Sequence, residues 1–235
     1  MSLLERDGIS VKDVCDYHIY PIADNDTPRL SADRFEYTFS NALFLYGDFD
    51  LNDIYKFYND IIILKNEDGQ DELAFKTKEI GSEFLARTLP IFERYDSDNN
   101  RLVMQFFADT IKSMNVKGFI TVNDLYEMSE EDVITLILNC EDEYIKGTFA
   151  KFLDANSIIA GDDKMNGKYS VSVKGKKRYI VPLVKMGDEA ARISDVDEMS
   201  FGLVEDYKKV HRSKYVGFDF DFKPYEFENK KTLSK

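Results

Sequence analysis

Three side chains of unlike chemistry fall within a single helical turn of sequence: Asp33, Arg34 and Tyr37, inside Leu30-Ser31-Ala32-Asp33-Arg34-Phe35-Glu36-Tyr37. A carboxylate suits a hard or borderline cation, and a guanidinium suits a phosphate. Asp33 is equally the acid that a helix dipole favours in a first turn. The chain has only two histidines, His18 and His211, which restricts Ser/His or Cys/His catalysis to two bases and makes most His-rich metal sites impossible. His18, in Asp16-Tyr17-His18-Ile19-Tyr20, could orient Asp33 or a phosphate, or be an ordinary loop histidine. His211 follows two lysines and reads as a solvated helix end. The cluster Lys174-Gly175-Lys176-Lys177-Arg178 could grip a phosphate, but it also has the composition of a soluble hairpin turn.

Other motifs fail on inspection. Asp96-Ser97-Asp98-Asn99-Asn100 starts like a calcium loop, yet the sixth position is Arg101 rather than Gly and the twelfth is Phe107 rather than Glu. Asp219 and Asp221 alternate with phenylalanines, as on the outer face of an edge strand. Cys15 and Cys140 form neither a CxxC pair nor a disulfide framework. There is no P-loop, GxGxxG or GxSxG motif.

The segment Leu30 to Tyr37 resembles the last metal-site motif of the HD-domain phosphohydrolases, in which a helix carries an Asp-Arg-x-x-Tyr pattern. By that resemblance Asp33 would be a metal ligand, and Arg34 and Tyr37 would lie beside the substrate pocket. The segments Ser129 to Val133 and Lys177 to Leu183 look like later parts of such proteins, less specifically. The superfamily's upstream His…His-Asp motifs are missing, because this chain contains no His-Asp pair and only His18 precedes Asp33. The resemblance thus covers the back part of an HD protein. It implies either a piece of a longer chain or a scaffold that has lost its metal site.

These side chains need elements to hold them. The opening Met1-Ser2-Leu3-Leu4-Glu5-Arg6-Asp7-Gly8 reads either as a short helix ending at Gly8 or as an expression scar joined to the middle of a longer protein, and Val11 to Tyr20 reads as a short helix. Thr27 is the expected cap of the Asp33 helix, with Pro28 in its first turn. Phe35, Phe39, Ala42, Leu43 and Tyr46 give that helix an apolar face, and Leu51, Ile54, Tyr55 and Tyr58 give one to the next. Ile61 to Lys65 and Glu72 to Thr77 read as a hairpin around Glu67-Asp68-Gly69-Gln70. A helix starting near Ile80 is expected to kink or end at Pro90. Leu102, Val103, Phe106, Phe107, Ile111 and Met114 make the clearest amphipathic helix, closed near Gly118. Ser129 and Asp132 approximate a capping box, and Tyr144 to Leu153 is a further helix. Beyond Asn156, Tyr169-Val171-Val173 and Tyr179-Val181-Leu183 alternate as a hairpin across Lys174 to Arg178. Asp206 to His211 is expected to be helical, Val216 to Phe222 alternates as a last strand, and the tail frays from Glu228.

The fold expected is mainly α, with two or three short β-hairpins, in a helical HD-like region over 1–156 and a smaller strand-containing region over 157–235. With 43% hydrophobic residues, intrinsic disorder is excluded as the main state. Thirty-one basic against 44 acidic residues leave a net charge of −13, which argues against nucleic-acid binding through overall charge. No apolar run reaches the roughly 20 residues of a membrane span, and the setting expected is cytoplasmic. The function implied is the C-terminal portion of a metal-dependent phosphohydrolase acting on phosphate esters, nucleotides among them, and inactive as it stands. An intact homologue would use a divalent metal; this chain is expected to hold none tightly. The alternative is a non-catalytic binding or interaction module on the same scaffold. The partners expected are a phosphate-containing small molecule and a second copy, because few residues precede Asp33 to cover the apolar face of its helix.

Overall fold

The computed structural model describes residues 3–226. Its elements run in order as α1 (Leu3–Arg6), α2 (Val11–Val14), a 3-10 turn (Tyr17–Ile19), α3 (Ala32–Ser40), a π-helical turn (Asn41–Tyr46) and α4 (Leu51–Asn59). The hairpin β1 (Ile61–Lys65) and β2 (Asp71–Phe75) leads to the long helices α5 (Lys78–Tyr95) and α6 (Asp98–Val116). Then come α7 (Asp124–Glu127), α8 (Glu130–Asn139), α9 (Glu143–Leu153), β3 (Ile159–Gly161) and β4 (Ser170–Val171). The last are β5 (Leu183–Met186), β6 (Glu189–Arg192), α10 (Ile193–Val196), α11 (Glu198–Lys209) and β7 (Tyr215–Gly217). About 50% of the chain is helix and 12% strand, which makes it a mainly helical α+β protein with two small sheets. Among the described residues no helix is long and apolar enough to cross a membrane.

The backbone divides into two compact units, residues 1–95 with 176–210, and residues 96–175 with 211–235. The expected division near residue 156 falls inside the second unit. In the first, the sheet order is β1-β2-β5-β6; β2 and β5 are parallel and the outer pairs are antiparallel hairpins. Its core is a phenylalanine cluster from α3, α4, β2 and α5, with Phe57, Phe75 and Phe84 fully buried. Phe84 is the hub, with ring centroids 5.0 Å from Phe75, 5.5 Å from Phe57 and 5.8 Å from Phe35. In the second unit, β7 lies between β3 and β4, and α6, α8 and α9 supply the core with Leu102, Phe106, Ile137 and Phe149.

Local signals explain most of these elements. Ser129 caps α8 and Asp132 answers back, the expected capping box. Gly69 and Gly118 sit at positive φ where the hairpin turns and where α6 ends.

Five expectations need correction. The cap of α3 is Ser31, which accepts from the Arg34 backbone N–H; Thr27 and Pro28 belong to the preceding turn, where the Pro28 carbonyl accepts from Val181 N–H at 2.8 Å. Of the two outcomes expected at Pro90, ending is excluded: α5 continues past it to Tyr95, because Phe84 and Leu85 before it and Ile91 and Phe92 after it are all buried in one core. Residues 172–182 form no strand pair, so the hairpin across Lys174 to Arg178 is absent: β4 pairs with β7, and β5 with β2 and β6. The last strand stops at Gly217, and α11 starts earlier than expected, at Glu198. The expected fraying from Glu228 lies outside the described residues.

Helix α4 is fastened through Asp53. Arg87 of α5 grips its carboxylate with both terminal nitrogens, at 2.5 and 2.8 Å, and stacks 4.2 Å over the Phe49 ring. The Arg87 hydrogen bond lowers the Asp53 pKa to about 2. A carboxylate depressed from 3.8 contributes stability that is present above about pH 4 and lost as pH falls towards 2. Asp53 is 26% exposed, so solvent screening reduces the contribution to about 1–2 kcal/mol. Asp53→Asn is expected to lose that much at pH 7 and nothing near pH 2, as read by urea unfolding at stepped pH.

Candidate functional site

Helix α3 presents Phe35 and Phe39 to the core and Asp33, Arg34 and Tyr37 to the other side, as 3.6-residue periodicity requires. Those three residues line one small pocket of about 160 Å³ with Asp24 to Thr27, Tyr17, Lys176 and Arg178. The two distant cations arrive because the extended segment before β5 runs alongside the 25–30 turn, tied to it by the Val181–Pro28 hydrogen bond. The Lys174 to Arg178 segment is thus not an isolated hairpin turn, since Lys176 and Arg178 both line the Asp33 pocket.

Each lining group has a definite state. Arg34 donates to the backbone carbonyls of Arg29, at 2.8 Å, and of Asn25. Two of its five N–H groups therefore hold the loop, and three remain. Burial raises the Tyr37 pKa, opposed by the charges of Arg34 and Arg178 and by a hydrogen bond with Arg178. The first amides of α3 are already used: Ala32 donates to Ile22, Asp33 to Ala23, and Arg34 to Ser31 Oγ. The helix end thus offers no free donor, and recognition of an anion falls to Lys176, Arg178 and the rest of Arg34.

His18 does not reach Asp33. Its Nδ1 lies 2.8 Å from Asp16 and its Nε2 3.4 Å from Asp26, and its ring stacks on Tyr17 at 4.1 Å. The Asp16 hydrogen bond raises the His18 pKa, with Asp26 adding to it. Tyr17 also donates to Asp26, at 3.2 Å, so Asp26 is shared between an imidazole and a phenol. His211 lies in the second unit.

A divalent metal does not fit the residues present. Among the described residues no three His, Cys, Asp or Glu side chains converge as ligands, and the pocket that Asp33 lines also holds three cations, Arg34, Lys176 and Arg178. No protein-family model, curated protein or solved structure matches this chain.

On the opposite side of α3 lies a second, larger concavity of about 630 Å³, lined by Phe35, Phe39, Phe44, Ile54, Tyr58 and Leu73 among others. It is apolar and carries no titratable cluster beyond Glu36 and Tyr58. The expectation that the apolar face of the Asp33 helix lies bare is not met: α1 and α2 bury no residue, but α4, β2 and α5 cover Phe35, Phe39 and Ala42, and the exposed apolar side chain is Phe44, at 84%.

Proposed function

We propose that this chain is a non-catalytic module that binds a small phosphate ester in the Asp33 pocket, on a scaffold resembling the back part of an HD phosphohydrolase. The observation that supports it is the meeting of Lys176 and Arg178 with Asp33, Arg34 and Tyr37 where no metal-ligand set converges. Arg178 and Lys176 neutralise the phosphoryl group, and Tyr37 adds a hydroxyl. Asp33 weakens anion binding, while Asp24 and Asp26 favour a ligand that also carries an amine. The volume, about 160 Å³, is below the roughly 300–1,000 Å³ of sites that enclose drug-sized ligands, so a phosphoryl head with a short chain fits better than a whole nucleotide. The hydrolase reading rests on the Leu30 to Tyr37 resemblance, and it requires metal ligands from beyond these residues.

The two readings give Asp33 opposite roles. Isothermal titration with phosphoethanolamine is expected to show a dissociation constant on the order of 0.1–1 mM. Removing a like charge beside the phosphoryl group makes Asp33→Asn bind about three- to tenfold tighter, while Arg178→Ala loses detectable binding. Titration with manganese, nickel and zinc is expected to show no tight site. Stoichiometric sub-micromolar metal binding that Asp33→Ala abolishes, together with phosphate release, would establish the hydrolase reading instead. Absence of any phosphoethanolamine binding would remove the proposed one.

A further inference from the structure

The apolar groove beside α3 adjoins a sheet edge that pairs with no strand among the described residues. Strand β1 is the outermost strand of its sheet and reads Ile61-Ile62-Ile63-Leu64-Lys65. The opposite edge, β6, is Glu189-Ala190-Ala191-Arg192, whose charges discourage pairing. Which β1 groups are free follows from the register. Asn66 donates to Gln70 and Lys76 to Asp60, so the hydrogen-bonded pairs are 60 with 76, 62 with 74, 64 with 72 and 66 with 70. The backbone N–H and C=O groups of Ile61, Ile63 and Lys65 therefore point away from β2, towards the open edge. Ile61 and Ile63 share a sheet face with Leu73, and both Ile61 and Leu73 line the groove.

The walls of the groove carry the same message. On α4 the apolar stripe visible in the sequence is Leu51, Ile54, Tyr55 and Tyr58; Ile54 and Tyr58 line the groove, and Leu51, Tyr55 and Tyr58 are 58%, 64% and 66% exposed. Phe57, turned about 100° from Tyr58, is the residue that enters the core. The wide π-helical turn pushes Phe44 out beside them. With Ile63, 57% exposed, these side chains show on the order of 600 Å² of apolar surface, at the upper end for a monomer's largest patch. A standard protein interface takes roughly 800 Å² from each partner, so this patch plus a strand edge supplies the area a stable dimer needs.

We propose that two copies of this chain associate about a two-fold axis by antiparallel pairing of their β1 edges, with the apolar side chains of α4 and the π-helical turn flanking the seam. The occupant is a second copy because an antiparallel pair of identical strands is self-complementary. Centred on Ile63, it sets Ile63 against Ile63 and Ile61 against Lys65, and every outward N–H meets a carbonyl of the other copy. The single charge on the strand does not block this register. Lys65 sits at its end and is already paired with Asp71 at 2.8 Å.

The test is sedimentation and light scattering of the full chain from micromolar to about 100 μM, with hydrogen exchange at residue resolution. The expected mass is twice 27.2 kDa. The amides of Ile61, Ile63 and Lys65 are expected to be protected in the dimer, although no partner among the described residues of their own chain accepts from them. Ile63→Pro removes an outward N–H that the β1–β2 ladder does not use, and Phe44→Glu charges the exposed wall. Each is expected to raise the dissociation constant at least 100-fold while circular dichroism and the melting temperature stay near wild type. A wild-type chain that remains monomeric at 100 μM overturns the proposal, as does one that stays monomeric yet binds an added amphipathic peptide. Dimers that survive both substitutions unchanged, or open-ended aggregates in place of a dimer, overturn it equally.

Discussion

Glu72→Ala is expected to destabilise the first unit by about 3–5 kcal/mol, because it strands a buried guanidinium. Glu72 sits in β2 with no solvent exposure. Arg192 of β6 grips it with both terminal nitrogens, at 2.5 and 2.8 Å, and reaches Glu67 at 2.9 Å. The remaining lone pairs of Glu72 accept from Leu30 N–H at 3.1 Å and Asn66 Nδ2 at 3.2 Å. The carboxylate thus joins the β1–β2 hairpin, the far edge of the sheet and the turn that precedes α3. Its satisfaction is nearly complete, and that condition separates a tolerated buried charge from a costly one. Arg192 is 12% exposed and keeps its charge against burial through Glu72 and Glu67.

Urea unfolding followed by hydrogen exchange on β2 and β5 measures the loss. Pairing Glu72→Leu with Arg192→Met is expected to recover much of it, since an apolar pair carries no desolvation penalty. A loss below about 1 kcal/mol for Glu72→Ala would mean that water reaches Arg192 and that the network is a surface feature. The turn it holds also carries Asn25 and the residues of the phosphate-ester pocket, so stability and binding are expected to fall together.

What the sequence discloses follows from the range of the interactions involved. The 61–75 hairpin, α6, α8 and α9 are fixed by signals a few residues long: Gly69, the Leu102 to Met114 stripe, the Ser129–Asp132 box and the Tyr144 to Leu153 face. Pro90 misleads because its penalty is local, while the burial of Phe84, Leu85, Ile91 and Phe92 that outweighs it comes from the rest of the unit. The parallel pairing of β2 with β5 joins Ala74 to Leu183, a separation over which no local pattern carries information. The alternation from Tyr179 to Leu183 is real, yet its partner is the 25–30 turn and β2 rather than the Tyr169 to Val173 segment.

The site divides in the same way. Asp33, Arg34 and Tyr37 are neighbours on one helix and were bound to share a face. Lys176 and Arg178 join them only through the path of an extended segment, and the one local hint was their density of charge. Glu72 left no mark at all, because an acid between Asp71 and Leu73 in a strand looks like any outward-facing residue. Arg192, which makes its burial possible, lies on another hairpin. The stripe on α4 was legible as apolar, but not as uncovered. Periodicity tells which residues share a face and says nothing about whether another element reaches it.

Phe106→Ala is expected to cost the second unit about 3–5 kcal/mol, because the ring is the point on which that unit's aromatic core converges. Phe106 is fully buried on α6. Its centroid lies 4.7 Å from Phe152 of α9, 5.3 Å from Tyr169 and 5.2 Å from Phe222, with Phe218 and Phe220 at 5.5 and 5.8 Å. The Phe218, Phe220 and Phe222 alternation read from the sequence therefore does its packing on this one residue, and beyond Gly217 the backbone bonds of Tyr169 with Phe218 and Phe220 hold it in place. Several of these contacts are edge-on, the geometry in which ring quadrupoles attract, so truncation loses more than buried area. Phe106→Leu retains most of the volume and is expected to lose only about 1–2 kcal/mol. The difference between the two variants isolates the cavity from the change of residue type. Amide exchange along α6 and β7, compared with the urea midpoint, reports the loss where it occurs. If Phe106→Ala fell below about 1 kcal/mol, the surrounding rings would have to close over the gap, and the core would be less rigidly packed than these distances imply.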